Sequence, residues 1–150
     1  MSKRTWNIYL SGEIHSDWRK HIISGATSAG LLVNFSSPVT DHEASDMCGV
    51  RILGEEQDTF WRDRKSASIN AIRTNSLISG ADVVVVRFGP KYKQWNAAFD
   101  AGYAAALNKP LVILHDEDND HALKEVDSAA NATARTPDQV VEILRYVLTE

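Results

Sequence analysis

The strongest pattern in the chain is the apolar run Asp82-Val83-Val84-Val85-Val86-Arg87-Phe88. Four β-branched residues in succession leave no polar face, so the segment predicts a strand covered on both sides, the mark of a central parallel strand. Leu111-Val112-Ile113-Leu114 reads the same way. Trp6 to Leu10 has strand composition and stops at a Ser11-Gly12 turn, and Leu31 to Phe35 supplies another strand after Gly30. A weaker strand is expected near Ala129 to Thr133.

Between these runs the period lengthens to that of a helix. Trp18, Ile22, Ala26 and Ala29 recur at helical spacing, with Ser16 expected as the cap. Asp58 is expected to cap a helix running to about Ser79, with Trp61, Ile69 and Ile72 on its apolar side. A third helix is expected from about Asn96 to Leu107. The last opens on Thr136-Pro137-Asp138-Gln139, a capping box with proline at the first helical position. Its stripe is Val140, Val141, Leu144, Val147 and Leu148. Residues 36–57 are polar and broken by Pro38, Gly49 and Gly54, and read as a long irregular segment of the kind that is often functional.

Strands alternating with helices through short connections predict an α/β fold: a doubly wound, five-stranded, mainly parallel sheet with helices on both faces, flavodoxin-like or Rossmann-like. Residues 1–150 are expected to form a single domain. Ligands in such sheets sit beyond the carboxyl ends of the strands, where strand order reverses. The loops Ser11 to Ser16, Gly89 to Asn96 and His115 to Asp120 therefore carry the expectation of function, with the segment after Phe35 able to fold over them.

Composition narrows the partners. The net charge is -4 and Lys and Arg are scattered among acids, so no basic face for nucleic acid is expected. The apolar stretch after Met1-Ser2-Lys3-Arg4 is too short for a signal peptide, and no run approaches the roughly 20 residues of a membrane span. The single cysteine, Cys48, excludes an internal disulfide. These features predict a cytoplasmic protein with a small-molecule or protein partner. His15, His21, His42, His115 and His121 show no metal-ligand spacing, and no metal site is expected. Neither a Walker motif nor a Gly-x-Gly-x-x-Gly turn occurs, so no cofactor is expected either.

One segment stands apart. Between Lys93 and Lys109 the only charged side chain is Asp100. Trp95, Ala98, Phe99, Gly102 and Ala106 form the expected core face of this helix. Ala97, Ala101, Ala104 and Ala105 leave the other side nearly apolar as well, which implies burial on both sides and a second subunit. Asp100 would be a carboxylate in a dry setting, its pKa raised by desolvation and lowered by the helix dipole. Spacing alone leaves open whether it does more than favour the dipole.

The segments Phe99-Asp100-Ala101-Gly102-Tyr103-Ala104 and Asn108-Lys109-Pro110-Leu111-Val112-Ile113-Leu114 resemble the nucleoside 2-deoxyribosyltransferase superfamily. There a catalytic acid precedes a Gly-Tyr-Ala helix, then Gly-Lys-Pro and a buried strand. Ile8-Tyr9-Leu10-Ser11-Gly12 is similar to the family's first strand and turn, and Gly80-Ala81-Asp82-Val83-Val84 to its third strand. Lys91-Tyr92-Lys93-Gln94-Trp95-Asn96 and the length resemble its YtoQ branch.

The resemblance implies a retaining double displacement on the N-glycosidic bond of a (deoxy)nucleoside, with Asp100 as nucleophile and Tyr9 orienting it. The transferases usually carry Glu at the nucleophile position. Thr74 and Gln94 stand where they carry base-contacting acids, so two proton-shuttling groups are replaced by neutral ones. Nucleotide-hydrolysing relatives bind a 5′-phosphate at the first turn with a hydroxyl and an arginine. Glu13 and His15 stand there instead, which implies an unphosphorylated nucleoside, with Glu13 holding ribose hydroxyls. Ser11, Gly12, Gly89 and Asn96 complete the implied substrate contacts. Trp95 and Trp61 are candidates for stacking on a base. Two other functions fit the same residues: a catalytically silent nucleoside or nucleotide-derivative binding protein that has lost the acids, and a nucleotide N-glycosidase that hydrolyses.

Overall fold

The computed structural model describes residues 3–91 and 93–149. Tyr92, part of the stretch that carries the YtoQ resemblance, lies outside the described residues, as do Met1, Ser2 and Glu150. The elements are β1 (Trp6–Gly12), α1 (Trp18–Ser28), β2 (Val33–Ser36), α2 (His42–Leu53), α3 (Thr59–Gly80), β3 (Val83–Phe88), α4 (Trp95–Ala106), β4 (Leu111–His115), α5 (Lys124–Ala129), β5 (Ala132–Ala134) and α6 (Pro137–Leu148). A short 3-10 turn, Glu117–Asn119, precedes α5. The five strands form one sheet in the order β2-β1-β3-β4-β5. Every neighbouring pair is parallel, so the sheet is wholly rather than mainly parallel.

Strand alternation divides the core between the two faces. Ile8, Leu10, Val83, Val85, Val112 and Leu114 point to one side, where Trp18 and Ile22 of α1 meet Val140, Val141 and Leu144 of α6. Tyr9, Val84, Val86, Phe88, Leu111 and Ile113 point to the other, beneath Ile78 of α3 and Ala97, Ala101 and Ala104 of α4. The valine run of β3 is thus buried on both faces, as its lack of a polar side requires.

Several local expectations need correction. Residues 36–57 are not irregular: Asp41 caps α2 by accepting from the Ala44 N–H at 2.9 Å, and α2 packs along α3. Ser16 does not cap α1; the cap residue is Asp17, without a side-chain bond, and Ser16 turns back to Glu13. On α3 the expected apolar side is mostly turned outward, with Trp61 and Ile72 exposed and Ile69 half-buried, while Ser66 and Ile78 are buried. The faces of α4 are reversed in the same way. Its buried stripe is Ala97, Asp100, Ala101 and Ala104, while Trp95 and Phe99 are 72% and 69% exposed. Interaxial and helix-to-sheet distances follow the side chains at the contact, so the alanine stripe lets the helix lie close to the sheet. β5 begins three residues later than expected, after an unanticipated α5. Among the described residues no helix is long and apolar enough to cross a membrane.

Candidate active site

The chain leaves β1 toward α1 on one face and β3 toward α4 on the other, although β1 and β3 are neighbours. Their carboxyl ends therefore border the crevice where doubly wound sheets hold ligands. Gly12 closes β1 with φ +116°, and a Cβ there would lie 2.1 Å from the Arg87 carbonyl oxygen. No side chain fits that approach, which fixes the turn to glycine.

Two-residue alternation carries Tyr9 and Ser11 to the α4 side of the sheet. Asp100, in the second turn of α4, descends onto them and is 9% exposed. Ser11 Oγ, itself buried, donates to Asp100 Oδ2 at 2.5 Å. Burial pushes the Asp100 carboxyl above its ordinary range, and the serine bond works against that rise.

Tyr9 is wholly buried on the same face, but no bond joins it to Asp100. Among the described residues its hydroxyl meets no partner at hydrogen-bond geometry; the Thr74 side chain lies near enough to favour ionisation without closing such a bond. Burial first, and the Asp100 charge second, push the phenol up to about 12. Tyr9 is therefore a neutral donor throughout the physiological range. Thr74 is half-buried on α3.

Glu13 is buried, and its carboxylate is engaged within the protein. It accepts from the His15 N–H at 2.6 Å, from Arg87 Nε at 3.0 Å and from the Ser16 hydroxyl. Burial alone would raise its pKa, but these three donors outweigh it and hold the carboxyl below its usual value. Arg19 fastens the same turn from the other side. Its guanidinium donates to the carbonyls of Leu10 (3.0 Å), Gly12 (3.1 Å) and Glu13 (2.7 Å), and Trp18 Nε1 adds a bond to Glu13 O at 2.8 Å. Burial lowers the Arg19 pKa to about 10. Sequence reading missed Arg19 and Arg87 as parts of this turn, and placed Ser16 in its loop only as a helix cap. The one available signal was Arg19 itself, a cation in the first turn of a helix, where the dipole disfavours it.

Gln94 closes the facing loop. Its backbone is left-handed (φ 44°), its Oε1 accepts from the Gly89 N–H at 2.9 Å, and its Nε2 donates to Lys91 O at 2.6 Å and Gly89 O at 3.3 Å. Gly89 lies against Glu13: a Cβ at Gly89 would sit 2.9 Å from Glu13 Cγ. Ser11, Gly12, Glu13, Gly89, Gln94 and Asp100 are thus one connected unit. Trp95 and Asn96 are exposed beside it.

The remaining candidates lie apart. Trp61 lines a separate cleft of about 560 Å³ with Leu53, Glu56, Arg64 and Ile72, to which none of Tyr9, Ser11 or Asp100 contributes. The His115 to Asp120 loop is tied to α5. Buried His115 sets Nε2 2.8 Å from Asp127 Oδ2 and Nδ1 2.7 Å from the Asp116 carbonyl oxygen, while Thr133 Oγ1 donates to Asp127 at 3.1 Å. Among the described residues no three His, Cys, Asp or Glu side chains gather as a metal site.

Comparison with known proteins bears on the chain as a whole. Residues 9–148 match the model of the family described as nucleoside 2-deoxyribosyltransferase YtoQ. The uncharacterized protein YtoQ of Bacillus subtilis (strain 168) is 43% identical over 140 residues, covering 93% of this chain and 95% of that one. A solved 2-deoxyribosyltransferase from the psychrotolerant bacterium Bacillus psychrosaccharolyticus superposes with a TM-score of 0.56 at 17% identity, covering 90% of each chain. A conserved protein from Enterococcus faecalis V583 gives a TM-score of 0.65 at 13% identity, covering 97% of this chain and 100% of that one. At such identities the two structures bear on the fold alone.

Proposed function

Since this chain belongs to the nucleoside 2-deoxyribosyltransferase YtoQ family, we propose that it acts on the N-glycosidic bond of unphosphorylated (deoxy)nucleosides, with Asp100 as nucleophile. The observation that carries this reading is a buried carboxylate at the carboxyl end of the β1–β3 pair, oriented by a short bond from Ser11. Asp100 attacks the anomeric carbon as the bond to the base nitrogen breaks. The bonding electron pair leaves with the base, which takes a proton from water. A nitrogen of an acceptor base then displaces Asp100 from the glycosyl ester and gives its proton to water, so two inversions leave the anomeric configuration unchanged. Desolvation of the carboxylate strengthens it as a nucleophile, and no cofactor enters the scheme.

The preference for an unphosphorylated substrate is supported by the two arginines at the first turn. Arg87 is engaged by Glu13, and Arg19 by three carbonyls. A second reading, nucleoside binding without turnover, is favoured by a specific observation: the Gln94 amide is committed to its own loop, and Thr74 is neutral. Neither supplies a proton to the leaving base.

The decisive experiment incubates the protein with a panel of deoxynucleosides, with and without an acceptor base, beside Asp100→Asn. Exchange of bases that disappears in Asp100→Asn supports transfer. Turnover surviving that change removes Asp100 as nucleophile. Saturable binding without turnover establishes the second reading, and free base formed without acceptor establishes hydrolysis.

The same reading includes a cytoplasmic homo-oligomer of one-domain chains. Its support is the outward stripe of α4, where Trp95, Phe99, Gly102 and Ala106 are all exposed on the helix that carries Asp100. Apolar surface of this kind is ordinarily covered by a partner. Phe99→Asp is expected to shift the sedimenting species toward the monomer. A wild-type monomer at micromolar concentration would overturn the assignment.

A further inference from the structure

Four groups converge under α4: the Asp100 carboxylate, the Ser11 hydroxyl, the Tyr9 hydroxyl and the Thr74 side chain. Only one pair among them forms a hydrogen bond, and it joins residues 89 apart in sequence. Ser11 is 1% exposed, so substrate has little access to its hydroxyl, and the Oγ is already donating. These facts fit poorly with a substrate contact. They fit a group that acts through the carboxylate.

We propose that Ser11, rather than Tyr9, is the residue that positions the nucleophile, binding Asp100 Oδ2 so that Oδ1 is the oxygen presented for attack. This assignment rests on the reading of Asp100 as nucleophile. The bond does two things at once. It fixes the carboxylate plane, because a hydroxyl on a buried strand has few alternative rotamers. It also favours the charged form against the desolvation that burial imposes. A carboxylate oxygen that accepts a strong bond is the poorer nucleophile of the two. Oδ1, which accepts no protein bond among the described residues, is left as the reactive one.

Tyr9 has a different place in this arrangement. Its hydroxyl is buried and meets no partner at hydrogen-bond geometry among the described residues, so it contributes a neutral dipole beneath the site without holding the acid. Ser11 is two residues further along the same strand and nearer the carboxyl edge, which is where a shorter acid on a close-lying helix arrives.

The test labels aspartate carboxyl carbons and follows their titration in wild type, Ser11→Ala and Ser11→Thr, with Asp100→Asn identifying the signal. Removing the hydroxyl is expected to raise the Asp100 midpoint, and threonine is expected to bring it back toward the wild-type value. In parallel, base exchange by Ser11→Ala is expected to lose about ten- to a hundredfold in kcat with KM little changed, the worth of a hydrogen bond to a charged group. The acid limb of the pH profile should move with the carbon signal, and Ser11→Thr should restore most of the rate. A purely structural role for Ser11 would not move that limb. An unchanged Asp100 midpoint in Ser11→Ala overturns the assignment, as does a Ser11→Ala enzyme with full kcat. A wild-type protein without base exchange removes the transfer reading, while the carbon titration still decides whether Ser11 governs the acid. The two failures are therefore separate.

Discussion

Replacing Glu13 by glutamine tests whether the first turn is held from within or waits for a sugar. The Glu13 side chain is 4% exposed and Arg87 is 13% exposed, so their 3.0 Å pair is largely out of water. Glutamine keeps the size and one acceptor oxygen, but its NH2 must face either the His15 N–H or both Arg87 Nε and the Ser16 hydroxyl. Each bond to the charged group is worth about 1.5–3 kcal/mol, and removing one partner of a buried pair costs about 3–5 kcal/mol. Ser16 and His15 lie near the surface and relax into water, which recovers part of that sum. The expected loss is therefore about 3 kcal/mol, or roughly 6–12 °C in Tm for a chain of this size.

Urea unfolding followed by tryptophan fluorescence measures it, since Trp18 is bonded to the Glu13 carbonyl. The pH dependence has a definite sign. The folded Glu13 carboxyl titrates below its unfolded value, so its stabilisation is complete above the ordinary glutamate range and is lost as pH falls through the folded pKa. The gap between wild type and Glu13→Gln must therefore narrow on acidification. A gap under about 0.5 kcal/mol at neutral pH, within ordinary surface-substitution scatter, would refute the reasoning, as would one that does not change with pH. A variant of full stability with a raised KM would show that Glu13 contacts substrate instead.

Three other outcomes are expected. Gly12→Ala puts a methyl group against the Arg87 backbone and should cost more than about 3 kcal/mol by chemical denaturation; a soluble variant of normal stability would contradict the turn geometry. Asp100→Asn should abolish base exchange yet stabilise the fold at neutral pH by about 0.5–2 kcal/mol, as active-site substitutions often do. Because the folded Asp100 pKa is raised, wild type loses stability as pH rises through the interval between the unfolded and folded values, and the advantage of Asp100→Asn should vanish below that interval. His115→Ala leaves Asp127 without its ring partner and should cost about 2–4 kcal/mol, detected as faster amide exchange in α5.

The strands were legible because burial on both faces leaves an unbroken apolar run, as in Val83 to Val86. The helix α2 was not, because it buries only Gly49 and Val50 and shows no stripe. On α4 the reversal has a physical cause. Trp95 and Phe99 outweigh alanine in hydrophobicity, but the surface facing a close-packed sheet admits small side chains and leaves large ones outside. Asp100 stood out as the only charge between two lysines. Its partner did not, because the Ser11 contact spans 89 residues and follows from strand register rather than from any local spacing. Glu13 was visible as an acid in a functional loop, whereas the arginine that engages it enters from β3, 74 residues later. Sequence distance hides such pairs, and only the fold joins them.

The alanine stripe of α4 acts as a gauge block beneath Asp100. Ala97, Ala101 and Ala104 set the height of the helix above the sheet, and that height sets how long an acid can be at position 100. Glutamate would overshoot Ser11 by one methylene unless larger residues at 97, 101 and 104 lifted the helix to match. The acid that fits at position 100 is therefore coupled to three alanines on the buried face of the same helix. Exchanging Asp100 for Glu requires moving a floor as well as changing a side chain.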